Sequence, residues 1–354
     1  MEDISLIVEL SLEHSTFPFA ELESVCNMLG CSRPSALMRK GIAAVSCESV
    51  SAAFELCRRL AFSHSVSLLH GTFENFQDAL KNASLLRGEL SGRTFSVRIG
   101  TRDRELKRMV PEMEREFGKV LSAYGKVKLT GCDVEVLVFI EGGMCLLTTL
   151  QCRPDRRSID RRKAAYRPFF SPVSLPPRYA RALVNLCGVS EGDRIIDPFC
   201  GTGGILMEAV QMGITAVGSD LDPEMVEGTE RNLREMGIAG KYELHCLDVS
   251  RITELGEFDA VITDPPYGRS STTNREDLSS LYRRTVEAAR AVLVDGGMLG
   301  MVVPDPVLIP LKSGMTAVYS LKQKVHRSLT RHYIVMRKDA RSSDAERAVS
   351  WPQH

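Results

Sequence analysis

The apolar positions along the chain follow two different rhythms. Up to Leu150 they are irregular. Short apolar runs at Ile4 to Leu10 and Ile42 to Val45 sit among helical spacing around Phe19 to Leu29, Ala52 to Phe62 and Arg104 to Phe117. Phe95, Val97 and Ile99 alternate with Ser96, Arg98 and Gly100, which predicts a half-buried strand. Val134 to Ile140 and Met144 to Leu150 flank Glu141-Gly142-Gly143, the pattern of a hairpin. From Tyr179 the rhythm becomes regular. Helices are predicted at Tyr179 to Leu186, Gly204 to Met212 and Pro223 to Met236. Strands are predicted at Arg194 to Phe199, Thr215 to Leu221, Tyr242 to Leu247, Phe258 to Thr263 and Met298 to Val303, with a closing pair near Ala317 to Val325 and His332 to Arg337. Strands alternating with helices predict a parallel sheet in an α/β domain. The expected division is 1–50, 51–152, a basic and proline-rich linker over 153–177, an α/β domain over 178–340, and a polar tail over 341–354.

Composition narrows the class. At 354 residues, 44% hydrophobic and 25% charged, the chain reads as a globular protein of two or three domains. No stretch approaches the roughly 20 apolar residues that span a bilayer, so no membrane partner is expected. The acidic N-terminus does not resemble a secretory signal. The ten cysteines form no CxxC pair, so neither a metal site nor a disulfide framework is expected. They read as buried thiols of a cytoplasmic protein. The formal net charge of zero conceals a pattern: residues 1–80 carry 10 acids and 5 bases, residues 81–167 carry 19 bases and 11 acids, and residues 176–340 carry 19 bases and 22 acids. A basic middle suggests a polyanion-binding segment, although solvated basic faces would give the same count.

The chemistry is concentrated at strand ends. Ile195-Ile196-Asp197-Pro198-Phe199-Cys200-Gly201-Thr202-Gly203-Gly204 is a strand running into a glycine turn that opens a helix. A dinucleotide fingerprint would place its third glycine at position 206, where Leu206 stands, and its strand would not end in an acid facing a pyrophosphate. Asp197 can instead accept from an ammonium, which favours S-adenosylmethionine over a dinucleotide. Asp220 and Leu221 lie about 20 residues on, at the end of the next strand, where a carboxylate can accept ribose hydroxyls. Asp248, with the Val249 backbone, ends the third strand and can accept from an adenine amine. Phe199, Gly201, Thr202 and Gly203 complete the cofactor candidates. Capping acids at strand–helix junctions would give the same residues by another route.

The fourth strand ends in Asp264-Pro265-Pro266-Tyr267-Gly268. The lone pair of an aromatic exocyclic amine is delocalised into its ring, so the amine is a poor nucleophile. Asp264 and the Pro265 carbonyl can each accept one of its N–H bonds and aim the lone pair at the methyl on sulfur. Proline frees its carbonyl and fixes its direction. Tyr267 offers a ring for a base taken out of its helix. Asp264, which borders the cofactor as well as the base, is the candidate acceptor of the surplus proton. Asp264, Pro265, Pro266 and Tyr267 are therefore the candidate catalytic residues.

These two motifs resemble those of the archaeal and eukaryotic tRNA guanosine-N2 methyltransferases that act at position 10. So do Arg167-Pro168-Phe169-Phe170-Ser171-Pro172, Ala180-Arg181-Ala182-Leu183-Val184-Asn185-Leu186 and His326-Arg327-Ser328-Leu329-Thr330-Arg331. The resemblance implies a Rossmann-like class I methyltransferase domain, with a seven-stranded, mostly parallel sheet closed by an antiparallel hairpin. A ferredoxin-like segment (1–50) and a THUMP domain (51–152) would precede it. It implies one or two methyl groups moved from S-adenosylmethionine to the exocyclic N2 of guanosine 10. It also implies tRNA held by phosphate contacts. Arg153, Arg156, Arg157, Arg161, Arg162 and Lys163 are the first candidates for those contacts, with Arg98, Arg102 and Arg104 behind them. Finally, it implies a small zinc-binding activator subunit at the edge strand Tyr242 to Leu247, paired by strand addition.

Rival readings keep the same motifs. One is an amino methyltransferase acting on adenine in DNA or on glutamine in protein, against which the separate basic N-terminal half speaks. A related family acting on guanosine 6 more often has Asn where Asp264 stands. A non-catalytic tRNA-binding protein would have no need of all four acids at 197, 220, 248 and 264.

Overall fold

The computed structural model describes residues 3–38, 41–171, 174–267, 277–309, 314–327 and 329–340. The polar tail over 341–354, Gly268, Pro172 and Ser328 fall outside them. In chain order the first half runs β1 (Ile4–Leu10), α1 (Phe17–Met28), β2 (Ser35–Met38), β3 (Ile42–Cys47), α2 (Ser51–Arg59), β4 (Ser63–Phe73), α3 (Phe76–Lys81), α4 (Arg87–Leu90), β5 (Thr94–Thr101), α5 (Arg104–Leu121), β6 (Lys126–Val127), β7 (Val134–Glu141) and β8 (Met144–Cys152). The second half runs α6 (Arg156–Asp160), α7 (Pro177–Leu186), β9 (Arg194–Asp197), α8 (Gly204–Gln211), β10 (Thr215–Asp220), α9 (Pro223–Glu235), β11 (Tyr242–Cys246), β12 (Phe258–Thr263), α10 (Leu278–Val292), β13 (Leu293–Val303), β14 (Met315–His326) and β15 (Leu329–Lys338).

The chain forms two compact units. The first comprises Met1–Glu13, Leu29–Arg58 and Ser63–Pro154; the second comprises His14–Met28, Arg59–Phe62 and Asp155–His354. In the first, eight strands share one sheet in the order β2-β3-β1-β4-β8-β7-β5-β6. The order β2-β3-β1-β4 is that of a ferredoxin-like β-α-β-β-α-β segment. Segments 1–50 and 51–152 are therefore not separately sheeted: β4 pairs with both β1 and β8, through Leu68↔Leu6 and Leu68↔Thr149. Strand alternation serves both faces. Val136, Val138 and Ile140 pack with Phe117 of α5, while Leu137 and Phe139 join Ile7, Met38 and Leu146 on the other face. Cys57 and Cys152 form a disulfide. This corrects the expectation that all ten cysteines are reduced thiols: CxxC spacing reports only close pairs, and these two are 95 residues apart.

The second unit holds a seven-stranded sheet in the order β11-β10-β9-β12-β13-β15-β14. Its first five strands run parallel and the β14–β15 hairpin closes it antiparallel. Consecutive residues go to opposite faces. Ile195 packs on the side of α7 and α8, Ile196 on the side of α10, and Ala216 and Val217 divide the same way. Near-continuous burial along β9 and β12 is what a parallel strand covered on both faces requires. The α7 side is joined by α1, whose Phe17 meets Phe62, Tyr179 and Tyr333 with ring centroids 6.0, 5.1 and 4.7 Å away. The α1 carboxylate Glu21 accepts from Ala61 N, Phe62 N and Asn185 Nδ2 at 3.0, 3.0 and 2.7 Å. A helix read as part of an N-terminal domain thus belongs to the second unit. No helix among the described residues is long and apolar enough to cross a membrane.

Candidate active site

The chain leaves β9 toward β10 and β11 on one side, then returns to the other side with β12. Strand order reverses between β9 and β12, and ligands of open parallel sheets bind in the crevice at such a switch point, beyond the carboxyl ends. Asp197 ends β9, Asp220 ends β10, Asp248 follows β11 and Asp264 follows β12. All four sequence-predicted acids stand on one rim.

The two central strand ends are bonded to each other. Thr263 Oγ1 donates to Asp197 Oδ1 at 2.7 Å, and Phe199 N donates to the same oxygen at 3.1 Å. Asp197 is 2% exposed. Burial pushes its carboxyl up to about 7, and the Asp264 and Asp220 carboxyls push the same way, against the two hydrogen bonds. Asp220 Oδ2 accepts from Gly201 N at 3.0 Å and Oδ1 accepts from Asp222 N at 3.1 Å. That carboxylate therefore shapes the glycine turn from across the sheet, and burial raises its pKa. Gly201 and Gly203 have φ of 50° and 80°, the left-handed region that the turn needs.

Residues of α9 and of the segment around Arg167 brace this turn. Thr229 Oγ1 on α9 donates to Gly201 O at 2.6 Å. Asn232 Nδ2 donates to Thr202 O at 3.1 Å and to Phe169 O at 2.9 Å, while its Oδ1 accepts from Phe169 N at 2.7 Å. The Phe169 ring lies so close over Gly228 that a Cβ there would be 2.1 Å from it. Arg167 Nη1 donates to Thr202 Oγ1 at 2.7 Å and Nε to Arg162 O at 3.0 Å. Burial lowers the Arg167 pKa to about 10.

The stretch read as an open linker is therefore docked, and two of its arginines are structural. Arg162 was expected on a phosphate. It is 6% exposed and forms a bidentate pair with Glu208 on α8, Nε to Oε1 at 2.6 Å and Nη2 to Oε2 at 2.8 Å. Arg181 Nη1 also reaches Glu208 Oε2 at 3.0 Å. Arg153 is exposed but pairs with Glu135 at 2.6 Å, and Arg156 and Arg102 are half-buried. Arg98, Arg104, Arg157, Arg161 and Lys163 remain exposed.

The amine loop follows β12. The Tyr267 hydroxyl donates to Asp264 Oδ1, which fixes the half-buried ring. Tyr282 Oη on α10 donates to Pro266 O at 2.9 Å and holds the loop from below. Burial raises the Asp264 pKa, opposed by the Arg331 cation and the Tyr267 hydroxyl. Arg331, on β15 and 5% exposed, is the basic partner of this acid that the sequence did not single out. Asp248 is held from two sides. Its Oδ1 already accepts from Ser250 N at 2.9 Å, the Ser250 hydroxyl and Arg284 Nη1 at 2.5 Å. Burial pushes its pKa up, but these bonds outweigh it and hold the carboxyl low. These bonds make it a cap and an ion-pair partner, and all three fall on Oδ1.

The donor set fits S-adenosylmethionine. Each Asp220 oxygen carries one N–H bond and keeps a lone pair for a ribose hydroxyl. Asp197 takes both of its bonds on Oδ1, so Oδ2 remains for an ammonium. Leu221, beside Asp220, exposes 53% of its surface at the rim, an apolar face for a flat heterocycle.

Residues 164–331 match the methyltransferase domain of the RMKL-like family. The tRNA (guanine(10)-N2)-dimethyltransferase of Methanothermobacter thermautotrophicus is 34% identical over 352 residues, covering 93% of this chain and 98% of that protein. The protein of the same name from Pyrococcus abyssi is 35% identical over 294 residues, covering 80% and 86%. Among solved structures, TrmN from Thermus thermophilus superposes with a TM-score of 0.54 at 22% identity, covering 94% of this chain and 99% of that one, and so shares the fold. The rim of acids, the Asp-Pro-Pro-Tyr loop and end-to-end similarity to named relatives agree: the chain belongs to the tRNA guanine(10)-N2-methyltransferase family.

Proposed function

We propose that the chain transfers a methyl group from S-adenosylmethionine to the exocyclic N2 of guanosine 10 in tRNA. One observation carries this most directly. The Thr263–Asp197 hydrogen bond joins the ends of adjacent parallel strands, so the cofactor turn and the amine loop share one crevice. The named archaeal relatives are dimethyltransferases, so the same nitrogen is the expected acceptor of a second methyl.

When bound, the cofactor supplies an electrophilic methyl on a sulfonium. Asp197 would hold its ammonium, Asp220 its ribose, and Leu221 with the Val249 backbone would border its base. Asp264 and the Pro265 carbonyl accept the two N–H bonds of the guanine amine and turn its lone pair toward the methyl. The Tyr267 ring, held by its bond to Asp264, packs against the base. After attack the nitrogen carries one proton too many. Asp264 takes it, helped by burial, which raises its pKa above that of a free carboxyl. The eight-stranded unit, with exposed Arg98 and Arg104, is assigned to tRNA backbone contacts in the manner of a THUMP domain. Strand β11 lies at the sheet edge beside β10 alone, and an unpaired edge is where a zinc-binding activator could add a strand.

The reaction is tested by incubating the chain with labelled S-adenosylmethionine and a set of tRNAs, with and without a zinc-ribbon partner, and mapping the modified nucleoside. Label in N2-methylated guanosine at position 10 is expected. Label elsewhere, or in adenine, would overturn the assignment. Full activity of the purified monomer would remove the partner.

The high pKa of Asp197 gives a pH prediction. An ammonium binds the carboxylate and not the acid. As pH falls below about 7 the carboxyl holds its proton, and cofactor binding must expel it. The Kd for S-adenosylmethionine should therefore rise by up to about tenfold per pH unit below 7 and level off above about pH 8. Calorimetric titration checks this; a flat profile would remove Asp197 as the ammonium partner, and Asp197→Asn should bind weakly at every pH.

A further inference from the structure

The segment leading into the methyltransferase core presents aromatic rings to solvent in a way that the reaction does not use. Residues 166 to 170 alternate in exposure. Tyr166, Pro168 and Phe170 are exposed, Arg167 is buried and Phe169 is half-buried. Arg167 has φ −80° and ψ 140°, and extended backbone sends successive side chains to opposite sides. Tyr166 and Phe170 are 68% and 56% exposed, which is unusual for large rings that could have been tucked under a neighbour.

The backbone that presents them is held firmly from the inner side. Arg167 is bonded to Thr202 Oγ1 at 2.7 Å in the cofactor turn and to Arg162 O at 3.0 Å, and Phe169 is bonded through both backbone groups to Asn232 at 2.7 and 2.9 Å. Arg162 in turn is locked to Glu208. Rings on a fixed backbone lose little freedom when something stacks on them.

The charge beside the rings has one sign. Between Arg156 and Lys163 there are five bases and one acid. The acid, Asp160, is occupied by Arg178 at 2.6 Å and Lys163 at 3.4 Å. Arg157, Arg161 and Lys163 are exposed. Flat rings that follow exposed cations along the chain suit a strand of nucleotides whose bases are free to stack and whose phosphates need neutralising.

We propose that Tyr166, Pro168 and Phe170, flanked by Arg157, Arg161 and Lys163, form a stacking platform for unpaired nucleotides of the tRNA beside the cofactor turn. The inference rests on the proposed function and deepens it. A guanine cannot reach Asp264 while it is stacked inside a helix, and its displaced neighbours need a surface to lie on. The platform supplies that surface on the same compact unit as the chemistry.

The test uses the full chain and unmodified tRNA. Y166S/F170S should raise both the Kd and the KM for tRNA by about tenfold or more, while Y166F and F170Y keep them within about twofold. The affinity for S-adenosylmethionine should not move, which separates a platform from a mere brace of the cofactor turn. R157Q/R161Q should weaken tRNA binding and flatten its salt dependence. As a readout that does not depend on the double variant folding, F170W emission should be quenched by saturating tRNA. Unchanged tRNA affinity in Y166S/F170S, or no quenching of F170W, would overturn the platform and leave the surface to a protein partner. A chain whose platform binds tRNA but which methylates no nucleoside would count against the reaction and not against the platform.

Discussion

Asp264→Ala should lower kcat for methyl transfer by about 10²- to 10⁴-fold while leaving tRNA binding nearly unchanged. On the proposed route the carboxylate accepts an N–H of the target amine and then its surplus proton, so the loss falls on the chemical step and not on the contacts that hold the tRNA. Two comparisons sharpen the result. Asp264→Asn keeps an acceptor oxygen but cannot take a proton, so it should retain more activity than alanine and still fall well short of the parent. Arg331 is buried near this acid and loses its counter-charge in either variant, so folding is monitored alongside the rate. Single-turnover transfer measured together with filter binding decides the matter. Equal loss of binding and rate would mean that Asp264 holds the tRNA or the fold rather than the reacting nitrogen.

The second large effect concerns stability. Glu208 is fully buried and takes three bonds from two guanidinium groups, those of Arg162 and Arg181. Truncating it to alanine leaves two cations buried beside a small void. Breaking a buried ion pair from one side costs about 3–5 kcal/mol. For a unit of this size that corresponds to a fall in Tm of roughly 6–20 °C. Chemical and thermal unfolding should both report it. Because Arg162 carries Arg167, and Arg167 carries Thr202, cofactor affinity should weaken as well. A loss under about 1 kcal/mol would show that water reaches the guanidinium groups and that the cluster is less enclosed than its exposure implies.

Legibility in the sequence depended on how local each signal was. Asp197, Asp220 and Asp264 were readable because each stands at the end of an apolar run with its turn residues beside it, and a parallel sheet puts all such ends on one rim. Asp248 is legible as a position, but its ion-pair partner Arg284 is not, because it comes 36 residues later on α10. Arg162 reads as a surface cation for the same reason: composition counts charge but does not see Glu208 approaching from α8. Strand β4 was missed because Ser63-His64-Ser65 looks like a loop and its apolar core is short. Helix α1 is legible as a helix, but its place in the second unit is not. Its partner Asn185 is 164 residues from Glu21, and nothing in the local pattern of either reports the other.

That helix has a practical consequence for how the polypeptide is made and cut. The second unit draws on three separate stretches of chain, beginning at residues 14, 59 and 155. A fragment expressed from residue 155 onward would lack Phe17, Glu21 and Phe62. The amide of Asn185 and the rings of Tyr179 and Tyr333 would then meet solvent. On the ribosome, the segment around Phe17 emerges early and must wait for strands that are translated last before it can dock. Release of a folded catalytic half therefore depends on the whole chain being finished, and a protease nick after α1 should lower activity even though it touches no residue of the crevice.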